Sequence, residues 1–235
     1  MAENAPVCAV VGAGPGNGAA LARRFAANGY RVALLARDRA KLDALSQGIA
    51  GSATFVCDAT DSVSLTAALT KIAQTMGPID TLVYNAGKGV WGDALSVAEG
   101  DFEGAWRLNA FGLFAAARAV LPAMLEVGKG NILVMGATAS RRGGAQAAAF
   151  AAAKGAQRLL AESLARAYGP RGVHVALLIV DAVVGEPLMR VKLPDRPDDF
   201  FCMPDDIASA AHALATQPRS AWTFECDLRP FGEKW

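Results

Sequence analysis

The sequence predicts an α/β domain built on a doubly wound parallel sheet of about seven strands, with helices on both faces. Three observations carry that reading. The stretch VCAVVGAGPGNGAAL, residues 7–21, joins a short apolar run to a glycine turn and an alanine-rich helix. Short apolar runs then alternate with helix-length segments to the end of the chain. The runs are apolar almost throughout, as strands covered on both faces must be. A length of 235 residues, 53% of them hydrophobic, suits one large domain with a full core.

Val7–Val11 is short enough to be a buried strand. Glycines follow at every second position: Gly12, Gly14, Gly16 and Gly18. They let the backbone bend tightly and approach a diphosphate, while the helix that begins there offers unpaired N–H groups and the positive end of a dipole. This first helix, from Gly16 to Ala27, ends at Asn28-Gly29. Arg31–Ala36 is the second strand, and Asp38 opens a helix whose apolar face is Leu42, Leu45 and Ile49. A third strand covers 53–57 and a third helix, capped by Asp61 or Ser62, reaches Met76. Gly77-Pro78 breaks it, and Ile79–Tyr84 is the fourth strand. Long helices over 102–127 and 146–168 flank a fifth strand over 131–135. Val173–Val180 is the sixth strand, residues 205–216 form a short helix, and 222–228 is the last strand. Residues 184–203 read as irregular, with prolines at 187, 194 and 197 and a cluster of acids. A segment of that length, 183–203, is too long for a simple connector and is expected to cover the substrate. No linker, repeat or low-complexity tract divides residues 1–235.

Composition excludes several function classes. Lys and Arg total 23 against 22 Asp and Glu, a net charge of +1, so neither a nucleic-acid surface nor a polybasic membrane patch is expected. Cys8, Cys57, Cys202 and Cys226 form no CxxC pair and have no neighbouring His, and are read as reduced thiols of a cytoplasmic protein. Residues 1–6 hold no basic residue and no long apolar run, so no signal peptide is expected, and no apolar run approaches a membrane span. His174 and His212 lack convergent ligands and are read as structural.

With these residues in order, the chain resembles the short-chain dehydrogenase/reductase family over nearly its whole length. The glycines at 12, 16 and 18 have the family's spacing, with Asn17 where other dinucleotide folds need glycine. Asn85-Ala86-Gly87 matches the family's NAG motif, Asp58 in CDAT the aspartate near the adenine ring, Asn109 in RLNAFG the helix asparagine that holds a structural water, and Lys154 the active-site lysine. The resemblance implies a Rossmann-type fold that binds a nicotinamide dinucleotide. Gly12, Gly14, Pro15, Gly16, Asn17 and Gly18 would cradle its diphosphate. Asp58, Ala59, Asn85, Ala86, Gly87 and Lys154 would line the nucleoside sites, with Asp181 and Val183 after the sixth strand. NAD-binding members carry an acid at the end of the second strand. Here that position is Ala36, followed by Arg37, whose guanidinium suits a 2′-phosphate. The expected cofactor is therefore NADP(H). Asp38, next along, leaves NAD(H) as the alternative.

The chain departs from the family where the chemistry is done. Four residues before Lys154, where members carry a proton-donating Tyr, stands Phe150. Thirteen residues earlier, in place of the substrate-orienting Ser, stands Ala137. Ala147 rules out the enoyl-reductase spacing, Asp181-Ala182 replaces the usual Pro-Gly, and the following Thr is replaced near Gly185 or Glu186. Phe150 keeps a ring but has no proton to give. Thr138, Ser140, Asp181 and Lys154 acting through water are the candidate replacements. Two functions stay open. One is an oxidoreductase that delivers hydride to a small apolar carbonyl, imine or alkene with a non-standard proton donor. The other is a catalytically silent NADP(H)-binding sensor. Trp91, Met135, Phe200, Phe201 and Met203 are candidates to line an apolar substrate pocket. The alanine-rich helices over 102–127 and 146–168, with Ala119, Ala123, Ala152, Ala156 and Ala161, suggest a homodimer or homotetramer. The terminal Trp235 either tucks against a neighbour or closes the pocket.

Overall fold

Strand β1 (Val7–Val11) is buried along its whole length as an interior strand of the sheet. The computed structural model describes residues 5–232, so the reading of Trp235 lies outside the described residues. After β1 come helix α1 (Asn17–Ala27), β2 (Arg31–Ala36), α2 (Arg39–Gln47), β3 (Ser52–Val56), α3 (Ser62–Met76) and β4 (Ile79–Tyr84). Then α4 (Glu99–Trp106) and α5 (Gly112–Val127) precede β5 (Gly130–Ala137), α6 (Ala148–Tyr168) and β6 (Val173–Val180). The chain closes through β7 (Val183–Val184), α7 (Pro187–Lys192), β8 (Phe201–Cys202), α8 (Pro204–Ala215) and β9 (Glu225–Leu228).

Seven of these strands form one parallel sheet in the order β3-β2-β1-β4-β5-β6-β9. Successive strands step away from β1 in one direction through β2 and β3, and in the other from β4 onward. The reversal leaves a crevice at the carboxyl ends of β1 and β4, where ligands of such sheets bind. One apolar layer packs α3, α5 and α6 on the sheet through residues such as Leu69, Leu113 and Ala161. The opposite layer packs α1, α2 and α8 through Phe25, Leu42 and Ile207. Local chemistry sets the helix starts: Asp38 accepts from the Lys41 N–H at 3.1 Å and Asp61 from the Val63 N–H at 2.9 Å.

Several boundaries differ from the sequence reading. Ile49 lies beyond the end of α2, though it is buried with Leu42. The helix expected over 102–127 starts three residues earlier and is interrupted by a π-helical turn, Arg107–Phe111. The Tyr84 hydroxyl donates to the Leu108 carbonyl at 2.5 Å within that turn, a contact from another element that no helical periodicity reveals. The helical run Glu99–Val127, its π-helical turn included, is 29 residues long and apolar enough to cross a membrane by length and composition, contrary to the expectation that no run approached that size. Half of its apolar stretch is buried in the chain's own core. Residues 184–203 are not irregular: they hold α7, and β7 and β8 pair in parallel. The last strand is confined to 225–228, because Trp222 instead stacks on His174 with ring centroids 4.7 Å apart. Cys8, Cys57 and Cys202 are buried, and all four cysteines are free. Cys57 follows β3 rather than lying in it.

Candidate active site

The glycine turn is shaped by what it touches. Gly12 has φ +89°, and a side-chain carbon there would lie 2.6 Å from the Ala86 nitrogen. Only glycine adopts that conformation and allows that approach at low cost. A side-chain carbon at Gly18 would collide with the Gly12 carbonyl oxygen, so the turn and α1 pack directly on each other. Gly14 faces open space. Asn85 ties the turn to the end of β4: its Nδ2 donates to the Gly12 carbonyl at 2.8 Å and its N–H to the Val11 carbonyl at 2.9 Å.

A cavity of about 690 Å³ opens beside this turn. Gly12, Gly14, Pro15, Gly16, Asn17 and Gly18 line one end of it. Arg37, Asp58 and Ala59 lie at the ends of β2 and β3, and Asn85, Ala86 and Gly87 complete the wall. Arg37 is exposed to the cavity, whereas Asp38 does not line it. The Asp38 carboxylate is engaged with Lys41, by the backbone cap and by an ion pair at 3.1 Å, and these bonds hold its pKa below the usual carboxylate range. Asp58 is also held low. Burial opposes its charge, but hydrogen bonds from the Thr60 N–H and hydroxyl, both 2.8 Å, and the charge of Arg37 outweigh burial.

A second cavity of about 670 Å³ adjoins the first and shares Asn17, Asn85, Gly87, Lys88, Val184 and Glu186 with it. Ala137, Phe150, Lys154 and Val183 line it, together with Trp91 and Met135. Lys154 is buried, and its Nζ donates to the Met135 carbonyl at 2.8 Å and to Gln157 Oε1 at 2.9 Å. Gln157 Nε2 in turn donates to the Asn109 carbonyl at 2.9 Å. The Asn109 Nδ2 donates to the Ala105 carbonyl at 2.9 Å, and its Oδ1 is buried without a partner among the described residues. A carbon on Gly87 would lie 3.1 Å from that oxygen and 3.5 Å from Lys154 Nζ, so both groups converge on the Gly87 backbone. Burial lowers the Lys154 pKa from 10.5 to about 7.

Not every candidate meets these cavities. Asp181 lines neither. Its carboxylate accepts from the Thr138 hydroxyl and pairs with Arg229 at 3.4 Å and Arg142 at 4.0 Å, the arrangement of a strand-end ion pair. Thr138 lines the second cavity, but its hydroxyl is given to Asp181. Ser140 is buried, and its hydroxyl accepts from the Ala137 N–H at 3.1 Å. Phe200, Phe201 and Met203 line neither cavity. Phe201 is buried in β8 beneath the Arg190 guanidinium, which lies 4.4 Å from its ring centroid. Sequence reasoning missed Gln157, Lys88 and Arg142. Gln157 alone left a signal, an amide one turn from Lys154 on an otherwise apolar helix face.

Residues 6–191 match the family model described as short chain dehydrogenase. Galactitol 2-dehydrogenase (L-tagatose-forming) of Cereibacter sphaeroides is 34% identical over 227 residues, 90% of this chain and 88% of that protein. A protein of Xanthobacter autotrophicus named inactive 2-(S)-hydroxypropyl-CoM dehydrogenase 2 is 30% identical over 205 residues, 81% of this chain and 89% of its own. The crystal structure of a metagenomic short-chain oxidoreductase in complex with NADP superposes with a TM-score of 0.85 at 28% identity, covering 99% of this chain and all of that one (100%).

Proposed function

Because the chain belongs to the short-chain dehydrogenase family, we propose that it is an NADP(H)-dependent oxidoreductase acting on a small apolar carbonyl, imine or alkene, with a proton source other than the family's tyrosine. The cleft fits a dinucleotide by its shape and its polar groups. The glycine turn leaves space at Gly14, the first turn of α1 has no side-chain cap, and the buried oxygens of Asn17 and Asn109 have no partner among the described residues. The observation that carries the cofactor preference is the pairing of an exposed Arg37 on the cavity wall with an Asp38 committed to the α2 cap. A guanidinium there binds a 2′-phosphate, and no free carboxylate competes for a ribose diol. When bound, the cofactor supplies a hydride.

Lys154 is the residue left to handle the proton. Of the four groups weighed, Thr138, Ser140 and Asp181 are held by hydrogen bonds to one another or to backbone. Lys154 lines the substrate-side cavity, and a pKa near 7 lets its amine gain and lose a proton at neutral pH. Two of its hydrogens go to Met135 and Gln157, and the ammonium form has a third for the cavity side. Trp91, Met135 and Phe150 make the cavity wall suited to an apolar substrate. The second reading is a silent NADP(H)-binding sensor. It is favoured by the loss of both catalytic hydroxyls at Ala137 and Phe150, and by similarity to a relative named inactive.

Self-association belongs to the same reading. Phe102, Trp106 and Phe114 are exposed, and the rings of Trp106, Phe111 and Phe114 stack in series at 5.7 and 6.4 Å. Such an apolar face on α4 and α5 suits a second copy of the chain. Four free cysteines suit a reducing, cytoplasmic setting.

Calorimetric titration with NADPH and NADH, followed by absorbance of NADPH against a panel of carbonyls, imines and enones, tests the proposal. Tighter NADPH binding with oxidation on any substrate is the expected result. Tight binding with no oxidation on any of them favours the sensor. Binding of neither dinucleotide overturns both readings.

A further inference from the structure

We infer that the Glu186 carboxylate is an internal competitor for the phosphate end of the cleft, lying on the N-terminus of α1 in the resting chain and giving way when a cofactor diphosphate enters. The inference rests on the reading of this cleft as a dinucleotide site. A side-chain carbon at Gly16 would collide with Glu186 Oε2 and lie 3.1 Å from Glu186 Cβ. The carboxylate and its stem therefore rest on the glycine turn itself. Glu186 lines both cavities, so it stands where they join.

The electrostatics explain why an acid settles there. Helix α1 has no side-chain cap at Gly16 and no acidic residue in its first turn. The positive dipole end of the helix attracts an anion, and Glu186 supplies one from far along the chain. Among the described residues its carboxylate has no hydrogen bond or ion pair. Arg190, one turn further on, is already paired with Asp198 and lies over Phe201. The charge of Glu186 is thus not neutralised within its own segment. A diphosphate would enter the same end of the helix, and two anions there repel each other strongly.

The fold gives the carboxylate a way out. Glu186 begins α7, a helix of six residues none of which is buried. Gly185 is pinned on one side, since a carbon there would lie 2.8 Å from Met203 Sδ and 3.0 Å from Phe201 Cβ. The lightly packed stretch beyond it can move at small cost. Cofactor affinity then carries a penalty set by how rarely the carboxylate is absent from the turn.

Titration of wild type, Glu186→Gln and Glu186→Ala with NADPH and with adenosine 2′-monophosphate tests this. The second ligand keeps the 2′-phosphate but has no diphosphate. The expected result is NADPH binding about tenfold tighter in both variants, with adenosine 2′-monophosphate unchanged. Unchanged or weaker NADPH binding in the variants, with binding to wild type intact, overturns the inference. An equal gain for both ligands also overturns it, because the effect is then not on the diphosphate. If none of the three proteins binds NADPH, the cofactor reading fails and the inference with it. Circular dichroism melts of each variant establish that the titrated proteins are folded.

Discussion

The ring of Phe150 lies against the indole of Trp91, centroids 5.4 Å apart, on the wall of the second cavity. Lys154 follows one turn along α6 and lines the same cavity. In the proposed reading, position 150 is where the family's acid would stand beside the lysine, and it carries an apolar ring in this chain.

Restoring the hydroxyl should restore its chemistry. Phe150→Tyr is expected to raise NADPH-dependent carbonyl reduction by roughly 10²- to 10⁴-fold, the usual worth of a positioned acid. Adding Ala137→Ser should raise it further. Initial rates from NADPH absorbance check this, and an unchanged rate would show that the missing acid is not what limits the chain.

The buried lysine should make stability depend on pH. Its pKa is lowered from 10.5 to about 7, so between those values the unfolded chain holds a proton that the folded chain lacks. Stability therefore rises with pH across that window, by up to roughly 1.4 kcal/mol per pH unit, and below it the cost of burying the charge is fully present. Urea melts of wild type and Lys154→Met at pH values between about 7 and 10.5 should show the slope in wild type alone. Parallel slopes in the two proteins would count against it.

Asp181 should act on stability rather than on binding. It joins the Thr138 hydroxyl to Arg229 and Arg142 at the end of β6. Asp181→Asn is expected to cost roughly 1–2 kcal/mol by weakening the bond from the Thr138 hydroxyl and removing one of the carboxylates that Arg229 pairs with, Asp227 remaining at 3.2 Å. NADPH affinity should not change. A variant of full stability with collapsed turnover would instead make Asp181 the proton source.

The aromatic face of α4 and α5 should hold two copies together. Phe114 is 43% exposed and ends the stacked series that begins at Trp106. Phe114→Glu buries a charge in any such contact and is expected to lower the molecular mass seen by light scattering to that of one chain. A wild-type chain that already has that mass, or a variant whose mass is unchanged, would place association elsewhere or exclude it.

Much of this architecture is legible residue by residue. The strand runs from Val7–Val11 to Val173–Val180 are apolar because both faces of the sheet are covered, and helix starts at Asp38 and Asp61 follow from short polar side chains bonding their own backbone. The glycines of the first turn are legible for the same reason, since the backbone at Gly12 needs a conformation that other residues avoid. Arg37 and Asp38 were both visible, but as neighbours they offered two cofactors.

What periodicity and turn chemistry determine is local, because they express the needs of a residue and its next few neighbours. That was sufficient for the seven strands of the main sheet and the helices between them, but not for α7, β7 and β8, while the departures at Ala137 and Phe150 show only beside the family's pattern. The tertiary structure decided which groups are spent and which are free. It assigned Asp38 to a helix cap, joined Thr138 to Asp181 across 43 residues, and bound Asn85 to Gly12 across 73. It also laid Glu186 on Gly16. Those pairings exist because the crossovers bring the strand ends to one edge of the sheet, and no short window of sequence carries the geometry of a crossover.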